Sequence, residues 1–190
     1  DSRLSRGLGD VYKRQLILNE EKTMKINYIE CSPRGERSHS TKIAQAYLEQ
    51  AKKNIPDLEL NHINPWSLNL PEFDGDMLNA KYSVIRGTDP SADEVSAWSN
   101  VKNIFDEFNN ADHYLFSVPM WNFNIPYKLK HYIDIITQPG MSWSYTPEDG
   151  YKGLMTDKTA TIIYSTGDGY GDGTGFESFD MQKPYVNLWL

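Results

Sequence analysis

Two patterns of apolar residues follow one another along the chain: short runs, of which the one at 58–63 alternates apolar and polar residues, and longer segments with helical spacing. The short runs predict four strands, at residues 24–31, 58–63, 112–118 and 159–164. The segments between them repeat an apolar side chain every three or four residues and so predict helices, with the clearest positions at Ile43, Ala44, Tyr47, Leu48 and Ala51, at Val95, Trp98, Val101, Phe105 and Phe108, and at Ile125, Leu129, Tyr132, Ile133 and Ile136. Strands and helices in this order predict an α/β protein whose parallel sheet is covered on both faces.

The expected sheet is doubly wound, with strand order 2-1-3-4-5 and a switch point between strands one and three. Only four strands are predicted before Leu190, so the fifth strand and its helix would lie beyond the last residue. Residues 187–190 also stop inside an apolar helical pattern that has no cap or stop signal. We therefore expect the chain to be truncated at its carboxyl end.

The amino-terminal residues are expected to have a different origin from the rest of the chain. Residues 5–15 match the translation of a transposon-based sequencing adaptor, and residues 16–23 resemble a translated leader with a purine-rich ribosome-binding site. Met24 is then the expected native start. The sequence thus predicts a non-native segment at 1–23 and one domain at 24–190, which is long enough to bury a sizeable core.

The charge and the cysteine usage of the chain narrow the function classes. Asp and Glu number 26 against 19 Lys and Arg, and the net charge of −7 argues against nucleic-acid binding, which normally needs a basic surface. No apolar run reaches the ~18 residues of a membrane span. The single cysteine, Cys31, excludes an internal disulfide and predicts a reducing, cytoplasmic location. We expect it to be a small core residue rather than a nucleophile.

The loop after the third strand carries the strongest functional signal. Residues 119–126 read Pro-Met-Trp-Asn-Phe-Asn-Ile-Pro, so two aromatic rings and two amides leave the carboxyl end of a buried strand. Open α/β sheets bind planar ligands at that edge, where rings can cover the face of a ligand and backbone groups can reach its polar edge. The alternative is a plain strand-to-helix turn whose aromatic side chains join the core.

Two further loops follow strands one and four at the same predicted edge. Residues 32–41 contain three serines and a threonine, which suit either a phosphate at a helix N-terminus or simple N-capping by Ser38 or Ser40. Residues 165–173 are rich in glycine, which lets a ligand approach the backbone closely. Neither loop matches a P-loop or a dinucleotide fingerprint. Asp168 and Asp172 fall short of a calcium loop, so no metal site is predicted.

Together these motifs resemble the FMN-dependent NADH azoreductases, which belong to the flavodoxin-like quinone reductases. The matching residues are 119–125 with Leu129, Lys130 and Tyr132, Ser32 with Ser38-His39-Ser40, Trp143-Ser144-Tyr145-Thr146 with Gly153-Leu154, and Ser165-Thr166-Gly167. They extend over residues 24–190 in the order found in the family. The resemblance implies a flavodoxin-like fold and bound FMN.

The resemblance also implies a role for each matching residue. The FMN phosphate and ribityl end would be held by Ser32, Ser38, His39 and Ser40. The flavin ring would be bracketed by Met120, Trp121, Asn122 and Phe123, and its other edge would be lined by Ser165, Thr166, Gly167 and Asp168. The wall of the substrate pocket would be formed by Trp143 and Tyr145. The chain departs from the family where Trp121 replaces a commoner tyrosine and where Thr-Gly-Asp at 166–168 replaces Arg-Gly-Gly. The Asp168 carboxylate would oppose the reduced anionic flavin and lower its potential.

The implied activity is transfer of two electrons from NADH or NADPH through FMN to a quinone or an azo compound. Ping-pong kinetics are expected because donor and acceptor share one pocket, and no side chain is an obligatory acid or base. The family forms homodimers, which are therefore implied as well. A flavodoxin-type electron carrier is the alternative, although residues 32–41 do not match its Thr/Gly-rich phosphate loop. A serine hydrolase using Ser32 or Ser38 is a further alternative, but no Gly-x-Ser-x-Gly elbow is present.

Overall fold

The structure is a computed structural model that describes residues 23–88 and 91–190. The strands in these residues are β1 (Lys25–Glu30), β2 (Glu59–Ile63), β3 (His113–Pro119), β4 (Trp143–Thr146), β5 (Gly150–Gly153) and β6 (Thr159–Ser165). The α-helices are α1 (His39–Asn54), α2 (Gly75–Arg86), α3 (Ala92–Asn109), α4 (Tyr127–Ile136) and α5 (Gln182–Trp189). The expectation of a non-native segment at 1–23 lies outside the described residues, Thr23 excepted, and stays a prediction.

Four of the strands form one parallel sheet in the order β2-β1-β3-β6. This is the predicted doubly wound order, and each strand begins and ends close to its predicted bounds. β1 lies between β2 and β3, since Ile29 pairs with Ile63 on one side and with Phe116 on the other. Within the described residues β6 pairs with β3 alone, so the expected fifth strand would lie at the other edge of β6.

Helices cover both faces of this sheet, as predicted. On one face, Ala44 and Leu48 of α1 pack against Ile26, Tyr28 and Leu115. The opposite face carries a larger core, to which the other helices contribute Met77, Val101, Phe105, Phe108, Leu129, Tyr132, Ile133 and Val186. Because successive side chains of a strand point to opposite faces, residues 28 and 30 of β1 face α1, while residues 29 and 31 face the larger core.

Two elements do not follow from the apolar pattern of the sequence. The first is α2, between β2 and α3, where no element was predicted; Met77 and Ala80 are among its buried residues. The second is an antiparallel hairpin of β4 and β5, in which Trp143 pairs with Gly153 and Thr146 with Gly150. Its strands are four residues long, which is too short to show a recognisable alternation.

Candidate functional site

The carboxyl ends of three neighbouring strands bring the three predicted loops to one rim of the sheet. β1 pairs with β3, and β3 pairs with β6, up to these ends. Backbone hydrogen bonds continue past the strands. The Cys31 N–H donates to the Ser117 carbonyl (3.1 Å), and the Met120 N–H donates to the Ser165 carbonyl (2.8 Å). The loops after β1, β3 and β6 therefore adjoin one another, as the strand order requires.

The loop at 119–126 contains a tight turn. Trp121 and Asn124 exchange two backbone hydrogen bonds, of 2.7 Å from the Trp121 N–H and 3.0 Å from the Asn124 N–H. The two residues between them have positive φ, 47° at Asn122 and 69° at Phe123. Asparagine tolerates this left-handed backbone, but a bulky residue such as phenylalanine rarely adopts it. Tertiary contacts must therefore hold the second residue of the turn in place.

Those contacts come from the loop after β6. The Phe123 carbonyl accepts the Met181 N–H (2.9 Å), and the Phe123 ring lies 5.4 Å from that of Phe179 and 6.3 Å from that of Tyr170. Phe123 is nevertheless 48% exposed, whereas Ile125 is buried. The alternative in which the aromatic side chains of this loop simply join the core is therefore wrong for Phe123.

Trp66, in the loop after β2, joins the rim although no motif in the sequence marks it. Its indole N–H donates to the Cys31 carbonyl (3.0 Å). Its ring lies 5.4 Å from the ring of Trp121 and 5.3 Å from that of Tyr127. Trp66 thus braces the loop after β1 against the loop after β3. The one feature of the sequence that could have indicated this role of Trp66 is its position after a strand that also ends at this rim.

The loop after β1 presents buried serine hydroxyls. Ser38 caps α1, because its Oγ accepts the Thr41 N–H (3.3 Å), and it lies 3.2 Å from the Ser40 Oγ. One hydroxyl proton serves the contact between the two serines, so the other can be donated to an anion. Ser32 is also buried, and its Oγ accepts the Arg34 N–H (3.3 Å). The start of α1 adds the positive end of the helix dipole to these donors.

The remaining residues predicted to hold the cofactor lie on the exposed side of the rim. His39, the first residue of α1, is exposed. In the loop after β6, Gly167 is exposed and the Thr166 hydroxyl donates to the Asp168 carbonyl (2.6 Å). The Asp168 carboxylate accepts the N–H of Gly169 (2.8 Å), so it is held within its own loop. Its effect on a flavin stays a prediction.

The two predicted pocket residues lie on the β4–β5 hairpin. Trp143 stands beside the amino ends of β3 and β6, in a cavity of about 330 Å³ whose lining includes Tyr114 and Thr159. Tyr145 is 57% exposed, and its ring lies 4.9 Å from that of Tyr151. In the part of the chain that the structure describes, no hydrogen bond or ring contact joins either residue to the loop at 119–126. Their role as a pocket wall stays a prediction.

Two ionisable groups beneath the rim are held neutral. Burial raises the pKa of the Cys31 thiol, and the neighbouring Glu30 raises it further. Burial also raises the pKa of the Tyr28 phenol, whose oxygen lies 3.1 Å from the Ser117 Oγ. Cys31 is fully buried, as expected of a core residue. Among the described residues no histidine hydrogen-bonds to a serine of the loop after β1, so no observed contact favours the hydrolase alternative.

The rim offers two kinds of surface that together fit FMN. The hydroxyl and N–H donors at the start of α1 suit a phosphate. The turn at 120–123 and the loop at 165–168 present partly exposed rings and peptide groups, which suit the face and edge of a flat heterocycle. Because the loops adjoin, one ligand can contact all of them. Nowhere in residues 23–88 and 91–190 does a group of three or more potential metal ligands occur.

The fold and this rim define a flavodoxin-like protein. A family profile described as the flavodoxin-like fold matches residues 24–190. The chain therefore belongs to the flavodoxin-like family.

Relatives and solved structures place the chain more narrowly. An FMN-dependent NADH:quinone oxidoreductase of Desulfotalea psychrophila is 47% identical over 166 residues, which cover 87% of this chain and 78% of the relative. An FMN-dependent NADH:quinone oxidoreductase 3 of Pseudomonas fluorescens is 38% identical, with 86% and 76% covered.

Among solved structures, an azoreductase from Bacillus anthracis str. Sterne matches with a TM-score of 0.79 and 28% identity, covering 88% of this chain and 80% of that one. An FMN-dependent NADH-azoreductase from Bacillus anthracis str. Ames Ancestor, solved in complex with FMN, matches with a TM-score of 0.79 and 25% identity, covering 87% and 80%. The resemblance of the sequence to the azoreductase and quinone reductase family is confirmed.

Proposed function

We propose that this protein is an enzyme that binds FMN at the rim and transfers two electrons from NADH to a quinone or an azo compound. The observation that carries the proposal is that the loops after β1, β3 and β6 adjoin, tied by the Cys31–Ser117 and Met120–Ser165 hydrogen bonds. The names of its relatives supply the substrate classes. When bound, FMN supplies the redox chemistry, and the protein supplies position and electrostatics.

The residues of this chain bind and orient the cofactor in this proposal. Ser38, Ser40 and the N-terminus of α1 hold the phosphate, with Ser32 and His39 beside them. The turn tip at 122–123 presents peptide groups to the edge of the ring. The Trp66–Trp121 ring contact joins the loop after β2 to the loop after β3. No side chain has to donate or accept a proton as an obligatory step.

We also propose that two copies of the chain form a homodimer with the flavin sites at their interface. Trp143 lies at the amino ends of its own strands, and Tyr145 and Tyr151 are 57% and 78% exposed. These rings suit the covering of a flavin bound to a second copy. Analytical ultracentrifugation tests this arrangement. A species of twice the chain mass of 21.8 kDa is expected, and a monomer at all concentrations would contradict it.

Flavin binding and turnover test the proposed activity. The purified protein, mixed with FMN and passed through gel filtration, should keep flavin and be yellow. It should then oxidise NADH rapidly when benzoquinone is added. Ser38→Ala should weaken FMN binding by about tenfold, the effect of one lost hydrogen bond to an anion. Ser99→Ala, which removes an exposed hydroxyl from α3, should leave FMN binding unchanged.

The same assay separates the enzyme from the alternatives. Parallel lines in double-reciprocal plots of rate against substrate concentration would support ping-pong kinetics. Repeating the assay with NADPH in place of NADH measures which of the two electron donors the protein prefers. Slow NADH oxidation by a yellow protein would indicate an electron carrier instead. A colourless protein that ignores added FMN would remove the proposal itself.

A cytoplasmic location is the further part of the proposal. None of the described helices is long and apolar enough to cross a membrane. The buried, unpaired thiol of Cys31 suits a reducing compartment. Cell fractionation with an antibody against the chain tests this, and recovery outside the cytoplasmic fraction would contradict it.

A further inference from the structure

A buried carboxylate lies at the end of β1, next to the loop that carries Ser32 and Ser38, and has no role in the proposed chemistry. Glu30, the last residue of β1, is 8% exposed, and it is the one carboxylate among the buried residues that the structure describes. Its side chain points to the face of the sheet covered by α1, as does that of Tyr28. A buried charge costs free energy unless it is paired and hydrogen-bonded, so its partners indicate its function.

Both carboxylate oxygens of Glu30 have a partner. The Thr41 hydroxyl, in the first turn of α1, donates to Oε1 (3.3 Å), and Nε2 of His62 on β2 lies 2.9 Å from Oε2. An ionised carboxylate can only accept, so the His62 proton is placed on Nε2. The imidazole is itself fixed by stacking on Tyr28, with ring centroids 5.1 Å apart and planes 9° apart.

These contacts continue to the serines of the proposed phosphate site. The N–H of Thr41 donates to the Ser38 Oγ, which lies beside the Ser40 Oγ. Thr41 is therefore held from both ends, by Glu30 through its hydroxyl and by Ser38 through its amide. The carboxylate thereby fixes the first turn of α1, and with it the direction in which the serine hydroxyls are presented.

We propose that Glu30 is a positioning residue for the phosphate end of the cofactor, acting with His62 through Thr41 on Ser38 and Ser40. This inference rests on the proposed FMN site. It requires that Glu30 acts by accepting hydrogen bonds, because its negative charge alone would oppose a phosphate dianion. The loss of the Glu30 contacts should therefore affect binding of FMN but not of riboflavin, which has the same ring without the phosphate.

Dissociation constants for FMN and riboflavin, measured by quenching of flavin fluorescence on the apoprotein, test the proposal. In Glu30→Ala and Thr41→Val, FMN affinity should fall roughly tenfold relative to riboflavin affinity, the effect of one lost hydrogen bond in the chain of contacts. Glu30→Gln keeps an acceptor for Thr41, so it should retain most of the native preference for FMN.

A matched control lies on the same helix. Tyr47→Phe removes one hydrogen bond between α1 and the sheet, that of the Tyr47 hydroxyl with His113 Nε2 (3.3 Å), at a point remote from the serines. It should leave the ratio of the two affinities unchanged.

The outcomes separate this inference from the proposed function. A native protein that binds neither flavin would remove the FMN site and everything that rests on it. A native protein that prefers FMN, with Glu30→Ala and Thr41→Val weakening both flavins equally or neither, would overturn only the role of Glu30. A Glu30→Gln protein that loses as much preference as Glu30→Ala, or that gains preference for FMN, would also overturn it. Should Glu30→Ala fail to fold, the ratio of FMN affinity to riboflavin affinity in Thr41→Val decides whether the role of Glu30 holds, since this variant removes a single hydroxyl.

Discussion

The turn at 121–124 shows how far single residues can be interpreted from sequence. The types of residue in this loop indicated a binding surface, because aromatic rings and amides leave a buried strand there. The backbone of the turn could not be predicted, since a phenylalanine with φ of 69° is unfavourable on local grounds. Contacts of Phe123 with Phe179 and Met181 impose that conformation. These partners are more than fifty residues away in the sequence, so no local pattern announces them.

Substitution of Asn122 should reveal the cost of this backbone conformation. Asn122 has a φ of 47°, which glycine adopts freely and a β-branched residue does not. Asn122→Gly should change the free energy of unfolding by less than about 0.5 kcal/mol, while Asn122→Val should lower it by about 1–2 kcal/mol. Urea denaturation measures both. Equal stability of the two variants would show that the turn relaxes to negative φ without penalty.

At the scale of helices and strands, the apolar pattern predicted the elements that form the layers of the fold. It predicted the four strands of the sheet from their short apolar or alternating runs, and α3 and α4 because each has a regular apolar face. α2 was not predicted; among its side chains that the structure describes, Met77 and Ala80 are buried, and the small Ala80 does little to mark an apolar face in the sequence. The β4–β5 hairpin was missed because four-residue strands carry no usable period.

One helix should stabilise the rim through a single buried contact. Gln182, the first residue of α5, is 1% exposed, and its side-chain amide donates to the carbonyl of Val118 (3.0 Å), just before the loop at 119–126. Gln182→Ala leaves that carbonyl buried without this donor and should lower the free energy of unfolding by about 1–3 kcal/mol. Amide hydrogen exchange at 119–126 should also become faster. Lys183→Ala, at an exposed neighbouring position, should change stability by less than about 0.5 kcal/mol, and equal losses in both variants would contradict this role.

For the whole molecule, topology predicted more than composition did. The meeting of the loops after β1, β3 and β6 follows from the strand order alone, because parallel neighbours end at the same edge. The participation of Trp66 does not follow, since it depends on a ring contact across the rim to Trp121. The position of Trp143 beside the amino ends of the strands was not predictable either, because the hairpin that carries it was not foreseen.

A buried tyrosine, Tyr114, and a partly buried one, Tyr164, should make the folded molecule sensitive to alkali. Burial raises the pKa of Tyr114, and burial with the nearby Asp180 raises that of Tyr164 to about 12, from an ordinary value of 10.0. The unfolded chain therefore loses these protons first as the pH rises. The stability that they contribute is fully present below pH 10.0 and is lost as the pH rises through the folded values, about 12 for Tyr164.

Urea midpoints measured from about pH 8 to about pH 11 should therefore fall at the alkaline end. Tyr114→Phe should reduce this fall, whereas Tyr151→Phe, which alters a ring that is 78% exposed, should not. A midpoint that stays constant over this range would contradict the assignment.

The Trp66–Trp121 contact gives the rim an optical signal of its own. Two of the five tryptophans in the chain lie there, 5.4 Å apart and in separate loops. Indole emission depends on the polarity around the ring and is quenched by an electron-accepting ring in contact with it. Replacement of Trp98, Trp143 and Trp189 by phenylalanine would leave an intrinsic fluorophore pair confined to the rim. Movement of the loops, or arrival of a ligand between them, would then be recorded without any attached label.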